Sequence, residues 1–586
     1  GILIGNLHET LKDVSNKVTV NINASISKSG SDGSVGAVVQ FVRESKKVYA
    51  QTLVLIGVAG SASHLNECLD TGGAATTGCE TSTEEGVKVA TAGDVGFSTT
   101  TLPGSAASTS DTTAPTALSI SPTGTETQEP TATVTITFSE AMDQTASAAA
   151  ATLTFNPLVP ATAAWSADGT TLTLTPSTEL RLGRAHTVTI GTGAKDVAGN
   201  TLAAASTGSL TIREALKATL VSGTATNDVR TDGSLSLAVA SNGTLHAAWV
   251  EESANDLYYG QCTGNCNVLT NWTFLAVDTG LVNNPNTAIG VDGNGAVHIV
   301  YGSARNGRYT RCTGTCAQAT NWSTPITIVG TASISVAPAI VIGSDNALHV
   351  AVAGSSAASV YVYCPNTSGC SSASNWTTVT VDSNTSIGTH VGLALAGSTL
   401  MIAYEDTDRQ QLLSAACSSS CTDRGNWSTG IIDTETNVGR QPVVRVDSTN
   451  RFHLIQKVVG TADDWRYGTC SAANDCTRSS NWVFLTVATT ETIGSTPSLA
   501  FAIDNRNGLH VVAFNNSGDT NAGLLYWTCD SNCTAAVTNW QKQAIATGTA
   551  EGTTSAIAFG QRDKLQILYT ATDGGTDTTG DLKIAY

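Results

Sequence analysis

The stretch Leu257-Tyr-Tyr-Gly-Gln-Cys262-Thr-Gly-Asn-Cys266-Asn-Val-Leu-Thr-Asn-Trp272 decides the fold, because its pattern returns five more times. A close cysteine pair followed by Asn-Trp recurs as Cys312 and Cys316 with Trp322, Cys364 and Cys370 with Trp376, Cys417 and Cys421 with Trp427, Cys470 and Cys476 with Trp482, and Cys529 and Cys533 with Trp540. The tryptophans lie 50, 54, 51, 55 and 58 residues apart. A period of about 50 residues with four strand-like segments per unit is the sequence signature of a β-propeller.

Each unit reads as an apolar strand, a Gly/Asn/Asp turn, a second strand opening near Leu-His, a third ending at the first cysteine, and an outer Asn-Trp strand. In the first complete unit these are Leu235–Ala240, Leu245–Val250, Leu257–Cys262 and Trp272–Val277. Third strands recur at Arg308–Cys312, Val360–Cys364, Leu412–Cys417, Trp465–Cys470 and Leu524–Cys529, with a seventh at Leu582–Tyr586. That last unit lacks an outer strand, and Ala215–Ser222 reads as an outer strand without a blade. Pairing the two closes the ring and removes two exposed edges. Residues 214–586 are therefore expected to form a seven-bladed propeller, against the alternative of six blades and a separate hairpin.

The 14 cysteines form seven close pairs, the seventh being Cys68 with Cys79. Even, local pairing suits disulfides and an oxidising compartment. Zinc is the rival reading, but a tetrahedral site needs two more ligands than any pair supplies. Each bridge closes a loop of roughly 5–12 residues, so loop entropy gives about 2–3 kcal/mol apiece. Only 13% of the 586 residues are charged, about half the usual share. A net charge of −18 with 29 Lys plus Arg argues against a nucleic-acid surface and disfavours docking to an anionic membrane. The longest apolar run, Thr52 to Gly60, is too short to span a bilayer. Starting at Gly1, the chain reads as a mature secreted product whose signal has been removed.

Residues 113–213 carry Val134-Thr-Ile-Thr-Phe-Ser-Glu-Ala-Met-Asp143, Trp165-Ser-Ala-Asp-Gly-Thr-Thr-Leu-Thr-Leu-Thr-Pro176, and His186-Thr-Val-Thr-Ile190 running into Lys195-Asp-Val-Ala-Gly-Asn200. In these stretches the chain resembles the bacterial Ig-like domain common in S-layer and adhesin-type surface proteins. The resemblance implies an antiparallel sandwich that serves as a spacer or assembly module without chemistry of its own. The alternating Thr-Leu-Thr-Leu-Thr segment reads independently as a half-buried strand. Residues 1–30 read as an N-terminal arm, and 31–112 as a small β domain with a Ser/Thr-rich linker from Leu102 to Pro115. Strands are expected at Lys17–Ile26, Ala37–Arg43, Val48–Val58 and Val87–Ala92, with a Ser/Gly-rich turn at Lys28–Gly36. The whole chain is thus expected to be all-β.

Candidate chemistry is sparse. His246, His298, His349, His453 and His510 open the second strands, where the other two units have Met401 and Gln566. A ring of histidines facing a channel is one way to bind metal, yet the tolerated Met and Gln fit a packing role better. Glycoside hydrolysis needs two carboxyls flanking the bond; Glu251, Glu252, Glu405 and Asp406 end second strands of non-adjacent units. No unit carries an Asp-box turn of the Ser-x-Asp-x-Gly-x-x-Trp type. Arg305, Arg308, Arg311, Arg409, Arg440, Arg445 and Arg451 hold no repeating place and read as surface charges. Asp196 to Asn200 is a turn motif before it is a cation site. Asn-x-Ser/Thr acceptors, and so candidate glycosylation sites, occur at Asn23, Asn242, Asn271, Asn321, Asn366, Asn375, Asn384, Asn426, Asn515 and Asn532.

No catalytic residue, cofactor or metal site is expected. The leading expectation is a structural subunit of an extracellular fibre or surface layer whose partners are copies of itself, with covalent or bound glycans as further partners. Lys17–Ile26 alternates apolar and polar residues, so Val18, Val20, Ile22 and Ile26 are candidate anchors of a strand donated to a neighbour. The same segment also reads as a strand paired within its own domain. The alternative function is a secreted propeller that binds or cleaves glycans, in the manner of a lectin or sialidase.

Overall fold

The computed structural model describes residues 111–586 apart from 125, 155–158, 214, 223–228, 230–234, 252–253, 283–285, 304–305, 331–337, 355–357, 384–385, 460–463, 488–491, 494–498, 517–521, 549–550 and 572–579. Of residues 1–110 it describes the backbone of three strands. The chain forms two compact units: 1–116 with 139–147 and 192–204, and 117–138 with 148–191 and 205–586.

In the first unit, Val18–Lys28, Ser31–Glu44 and Lys47–Ile56 form an antiparallel sheet in sequence order. The expected turn at Lys28–Gly36 is shorter than its composition implies. Lys28 pairs with Ser31, and Ser31 through Gly36 already belong to the second strand, where the ladder outweighs the weak strand propensity of Gly and Ser. The expected strand at Val87–Ala92 lies outside the described residues, and so does the expected bridge between Cys68 and Cys79.

The second unit contains two kinds of sheet. Ala117–Ser121, Val134–Phe138, Thr171–Pro176 and Ala161–Trp165 form one four-stranded layer of a sandwich. Thr127–Gln128, Ser206–Ile212, Ala185–Ile190 and Ala151–Thr154 form the other. Period-two burial puts Val134, Ile136, Phe138, Leu172 and Leu174 from the first sheet, and Val188, Ile190, Leu210 and Ile212 from the second, into the core.

The remaining sheets are seven four-stranded blades. Their inner strands are Ser236–Val239, Thr287–Val291, Ala339–Ile342, Ile387–Ala396, Arg440–Val446, Ala500–Ile503 and Ser555–Phe559. These meet in cyclic order, with the seventh against the first. The last blade is completed by Ala218–Ser222, antiparallel to Asp581–Ala585, so the ring closes as the sequence leads one to expect. Val221, Trp249, Leu568 and Ile584 share one core across that closure.

A single lock repeats around the ring, and it starts from a disulfide. Cys262 is bridged to Cys266, Cys312 to Cys316 and Cys364 to Cys370. Cys417 is bridged to Cys421, Cys470 to Cys476 and Cys529 to Cys533. Both sulfurs of each pair are thereby used within one loop, and no free cysteine occurs among the described residues. In each loop the carbonyl of the second cysteine accepts the indole N–H of the following tryptophan, from Trp272 at 2.9 Å to Trp540 at 2.9 Å. The held indole then meets a tyrosine of the preceding blade: Tyr259 with Trp322, Tyr309 with Trp376, Tyr361 with Trp427 and Tyr467 with Trp540, at centroid separations of 4.9, 5.0, 5.1 and 5.4 Å. Each of these tyrosines shares a hydrogen bond with the second-strand histidine of its own blade, as in His246 Nδ1 to Tyr259 at 2.6 Å and His298 Nδ1 to Tyr309 at 2.8 Å. The imidazoles of His298, His453 and His510 also bond Asp292, Asp447 and Asp504 of the adjoining turn through Nε2. Where Met401 replaces histidine, Ser414 stands in the tyrosine's place and donates to the Cys476 carbonyl of the next blade at 2.8 Å.

The sandwich is fixed to blades six and seven by the loop after Thr171–Pro176. Arg181 bonds Asp504 at 2.6 Å and also pairs with Asp530. Arg562 donates to the Pro176 carbonyl at 2.5 Å, and Arg506 to that of Glu179 at 3.3 Å. A Cβ on Gly508 would collide with the Arg181 guanidinium, which would have to shift to admit any other residue there. Arg181→Ala would remove the nearest cation from two acidic groups, leaving Asp504 with Arg506 at 3.7 Å and Asp530 with Arg184 at 3.4 Å, a cost of about 1.5–3 kcal/mol. The expected result is faster hydrogen exchange in residues 176–184 with the sandwich sheets still protected; unchanged exchange there would refute this account of the joint.

Burial gives the locks a pH dependence. It holds the His246 imidazole down to about 4, from 6.5. The unfolded chain therefore takes up this proton first, and stability is lost as pH falls from 6.5 towards 4, at about 1.4 kcal/mol per pH unit. Burial also lowers His298 and His453, partly offset by their aspartates. Denaturant unfolding should show stability level above neutrality and falling below it, and His246→Gln should remove about one proton's worth of that slope.

Candidate functional site

Two inner strands depart from the blade pattern. Ile387–Ala396 has ten residues and shifts register between Ile387 and Val391. Its neighbour Arg440–Val446 shifts between Arg440 and Val443, with Gln441 at φ 48°. The other five inner strands pair without a shift. A bulge adds a residue to one strand and re-aims the side chains around it, and here the bulges hold Gly388-Thr-His390 and Gln441-Pro442. A non-glycine residue at positive φ persists only where its surroundings enforce it. The two strands approach closely: a Cβ on Gly392 would stand 2.9 Å from the Pro442 carbonyl oxygen.

The inner strands surround a cavity of about 220 Å³. Its wall combines small and aliphatic residues, Ala288, Ala339, Val443 and Ala556, with the hydroxyl-bearing Ser236, Thr287 and Ser555, while Phe501 is buried in the core behind it. His390, Gln441 and Arg445 interrupt that wall from the two bulged strands. Burial lowers the His390 imidazole to about 4, so it is neutral at physiological pH, and Thr389 Oγ1 lies 2.8 Å from its Nδ1. Arg445 keeps solvent-accessible surface, while the surrounding protein lowers its pKa. Beside the bulges, burial raises Glu405 and Arg440 partly offsets it, with Arg440 Nε 3.3 Å from Glu405 Oε1. A neutral imidazole and an amide donate and accept at once; the guanidinium only donates. The set is equipped to hold a small polyhydroxylated molecule in place.

The five second-strand histidines lie outside this cavity wall, each engaged through Nδ1 with a tyrosine hydroxyl. For His246, His298, His349 and His453 the tie to the next blade is indirect, through tyrosine and tryptophan, whereas His510 meets Phe559 of blade seven directly at 4.6 Å between ring centroids. Glu251 is buried and accepts the Ala254 N–H at 2.6 Å, and Asp406 is paired with Arg409. Glu252 and Arg305 lie outside the described residues. The sequence did not single out His390 or Gln441, and it took Arg445 for a surface charge. The one available signal was an imidazole or charged side chain in these two inner strands, where the other five have neither; proline is no signal, since Pro338 holds in blade three the place that Pro442 holds here.

The acceptor asparagines divide by geometry. Asn271, Asn321, Asn375 and Asn426 each donate their Nδ2 to a carbonyl of their own cysteine loop, at 2.8, 2.8, 2.9 and 3.2 Å. Asn515 is buried at 2% exposure. Asn242, Asn366 and Asn532 are exposed. Asn384 and the side chain of Asn23 lie outside the described residues, as do the side chains of Val18, Val20, Ile22 and Ile26. Asp111, Glu140 and Asp196 bring carboxylate oxygens within 4.8 Å of one another in the first unit. There Asp196 accepts the backbone N–H of Asn200 at 2.8 Å, which is the turn role expected for it.

Residues 111–212 match the family described as bacterial Ig-like domain. No curated protein matches the chain. Solved structures similar to it include an ulvan lyase of polysaccharide lyase family PL25, 12% identical with a TM-score of 0.42, covering 62% of this chain and 94% of that one. The BP39L lectin from Burkholderia pseudomallei is also 12% identical with a TM-score of 0.42, over 59% and 94%. A mutant of the NanB sialidase from Streptococcus pneumoniae is 9% identical with a TM-score of 0.37, over 99% and 96%.

Proposed function

We propose that the chain is a secreted, non-catalytic glycan-binding protein that takes the end of a saccharide into the propeller channel. The observation that carries this reading is the pair of bulged inner strands, which add His390 and Gln441 to a channel wall that otherwise mixes small apolar residues with Ser236, Thr287 and Ser555. Sugars need groups that donate and accept together, beside apolar surface for their C–H faces, and the channel wall offers both. Its volume of about 220 Å³ is below the ~300–1,000 Å³ of pockets for drug-sized ligands, which fits a chain end rather than a whole polymer. Binding is favoured over cleavage because Glu405 is tied to Arg440 and Asp406 to Arg409. In addition, a His390 held near 4 is a weak base. The bridged cysteine pairs suit an oxidising compartment. Incubation with an oligosaccharide library should give reversible binding with no change in saccharide mass, weakened in a double variant carrying His390→Ala and Gln441→Ala. Cleavage, or binding indifferent to both substitutions, would refute the reading.

Self-association into a fibre or surface layer is the second reading. It is favoured by one observation: among the described residues Val18–Lys28 has a single hydrogen-bonded neighbour, Ser31–Glu44, and lies at the edge of its sheet. An edge strand is a template for pairing with another chain. Val18, Val20, Ile22 and Ile26 occupy alternate positions along it. Negative-stain imaging should show filaments of the full chain and single particles after deletion of residues 1–26; single particles in both preparations would dismiss this reading.

A further inference from the structure

The cavity is also distinctive in its charge. Among the described residues its wall contains one that is cationic at neutral pH, Arg445, and no Asp, Glu or Lys. This is unusual in a chain with 47 acidic residues against 29 basic ones. Elsewhere Arg181, Arg308, Arg440 and Arg466 each face a carboxylate. Among the described residues Arg445 has no such partner, and its Nη1 donates to the backbone carbonyl of Val444 at 2.9 Å.

A cation between low-dielectric walls projects a stronger field along the channel than it would on an open surface. The planar fork of a guanidinium matches a carboxylate in two parallel hydrogen bonds. Arg445 stands four positions along its strand from Gln441, and His390 occupies the neighbouring bulge. Allowing for the bulge, in which three residues span two ladder steps, this separates Arg445 from the Gln441 level by about 10 Å. A ligand that uses both ends of the wall is therefore extended, with its acidic group at one end and hydroxyls along its length.

We propose that the channel selects a saccharide whose terminal residue carries a carboxylate, with Arg445 receiving that carboxylate and His390 and Gln441 bonding hydroxyls further along. This rests on the glycan-binding reading and specifies the ligand class for the same site.

Calorimetric titration of the full chain at low salt, with a uronic-acid-ended oligosaccharide and its carboxyl-reduced neutral counterpart, separates the two ideas. The acidic form should bind on the order of tenfold more tightly. That preference should shrink with added salt, vanish in Arg445→Gln and survive in part in Arg445→Lys. Equal affinity for the two forms would overturn the proposal and leave the glycan reading intact. A preference that persists in Arg445→Gln would overturn the role of Arg445, and failure of both saccharides to bind would overturn both readings. Should circular dichroism show Arg445→Gln unfolded, the wild-type salt series decides, and a salt-insensitive preference counts against the proposal.

Discussion

The propeller depends on one small interaction, the indole N–H of each Asn-Trp tryptophan donated to the carbonyl of the second cysteine. A net ~1 kcal/mol per bond is modest, but the bond fixes the direction of the largest side chain in the blade. The disulfide holds the loop that presents the carbonyl, and the asparagine before the tryptophan ties the same loop through its Nδ2. So oriented, the indole edge finds the tyrosine of the preceding blade, an aromatic contact of about 0.5–1.5 kcal/mol. That tyrosine in turn anchors a histidine in the middle of its own blade. Blade order is thereby written as a chain of contacts, each of which places the next.

Blade four shows that the chain of contacts acts as a unit. It lacks the histidine and the tyrosine together, and Ser414 reaches the same cysteine carbonyl that its neighbour's tryptophan uses. A lone Met401 beside an unpartnered tyrosine would have left a buried hydroxyl unsatisfied, at a cost of about 1–3 kcal/mol. The departure also coincides with the longest inner strand, and polar residues enter the channel from this blade and the next.

Most of the architecture was legible because repetition fixes register. Second and third strands in the first blade, Leu245–Val250 and Leu257–Cys262, have the bounds that their sequence implies, and Ala218–Ser222 closes the ring from the segment left without a blade. The sandwich core follows from simple alternation at Val134, Ile136 and Phe138. The channel site was not legible, for a geometric reason. A bulge changes which side of a strand each later residue faces, and the unusual residues of Gly388-Thr-His390 and Arg440-Gln441-Pro442 mark a departure without telling which way the side chains turn. Arg445 looked like any scattered arginine, because whether a charge meets bulk water or a channel depends on seven strands far apart in sequence.

The closing strand has a mechanical consequence. Ala218 pairs with Ala585 and Ser222 with Leu582, so the strand that leaves the sandwich lies antiparallel to the last strand of the ring. Tension drawn through the sandwich grips the first of these strands at its N-terminal end, whereas the ring holds the other at its own N-terminal end, near Asp581. Those two ends lie at opposite extremes of the pair. The load therefore runs along the strands, across hydrogen bonds that stand perpendicular to them, and all of them must fail nearly together. Tension applied instead at Tyr586, whose backbone bonds Lys217, would open the same seam one bond at a time.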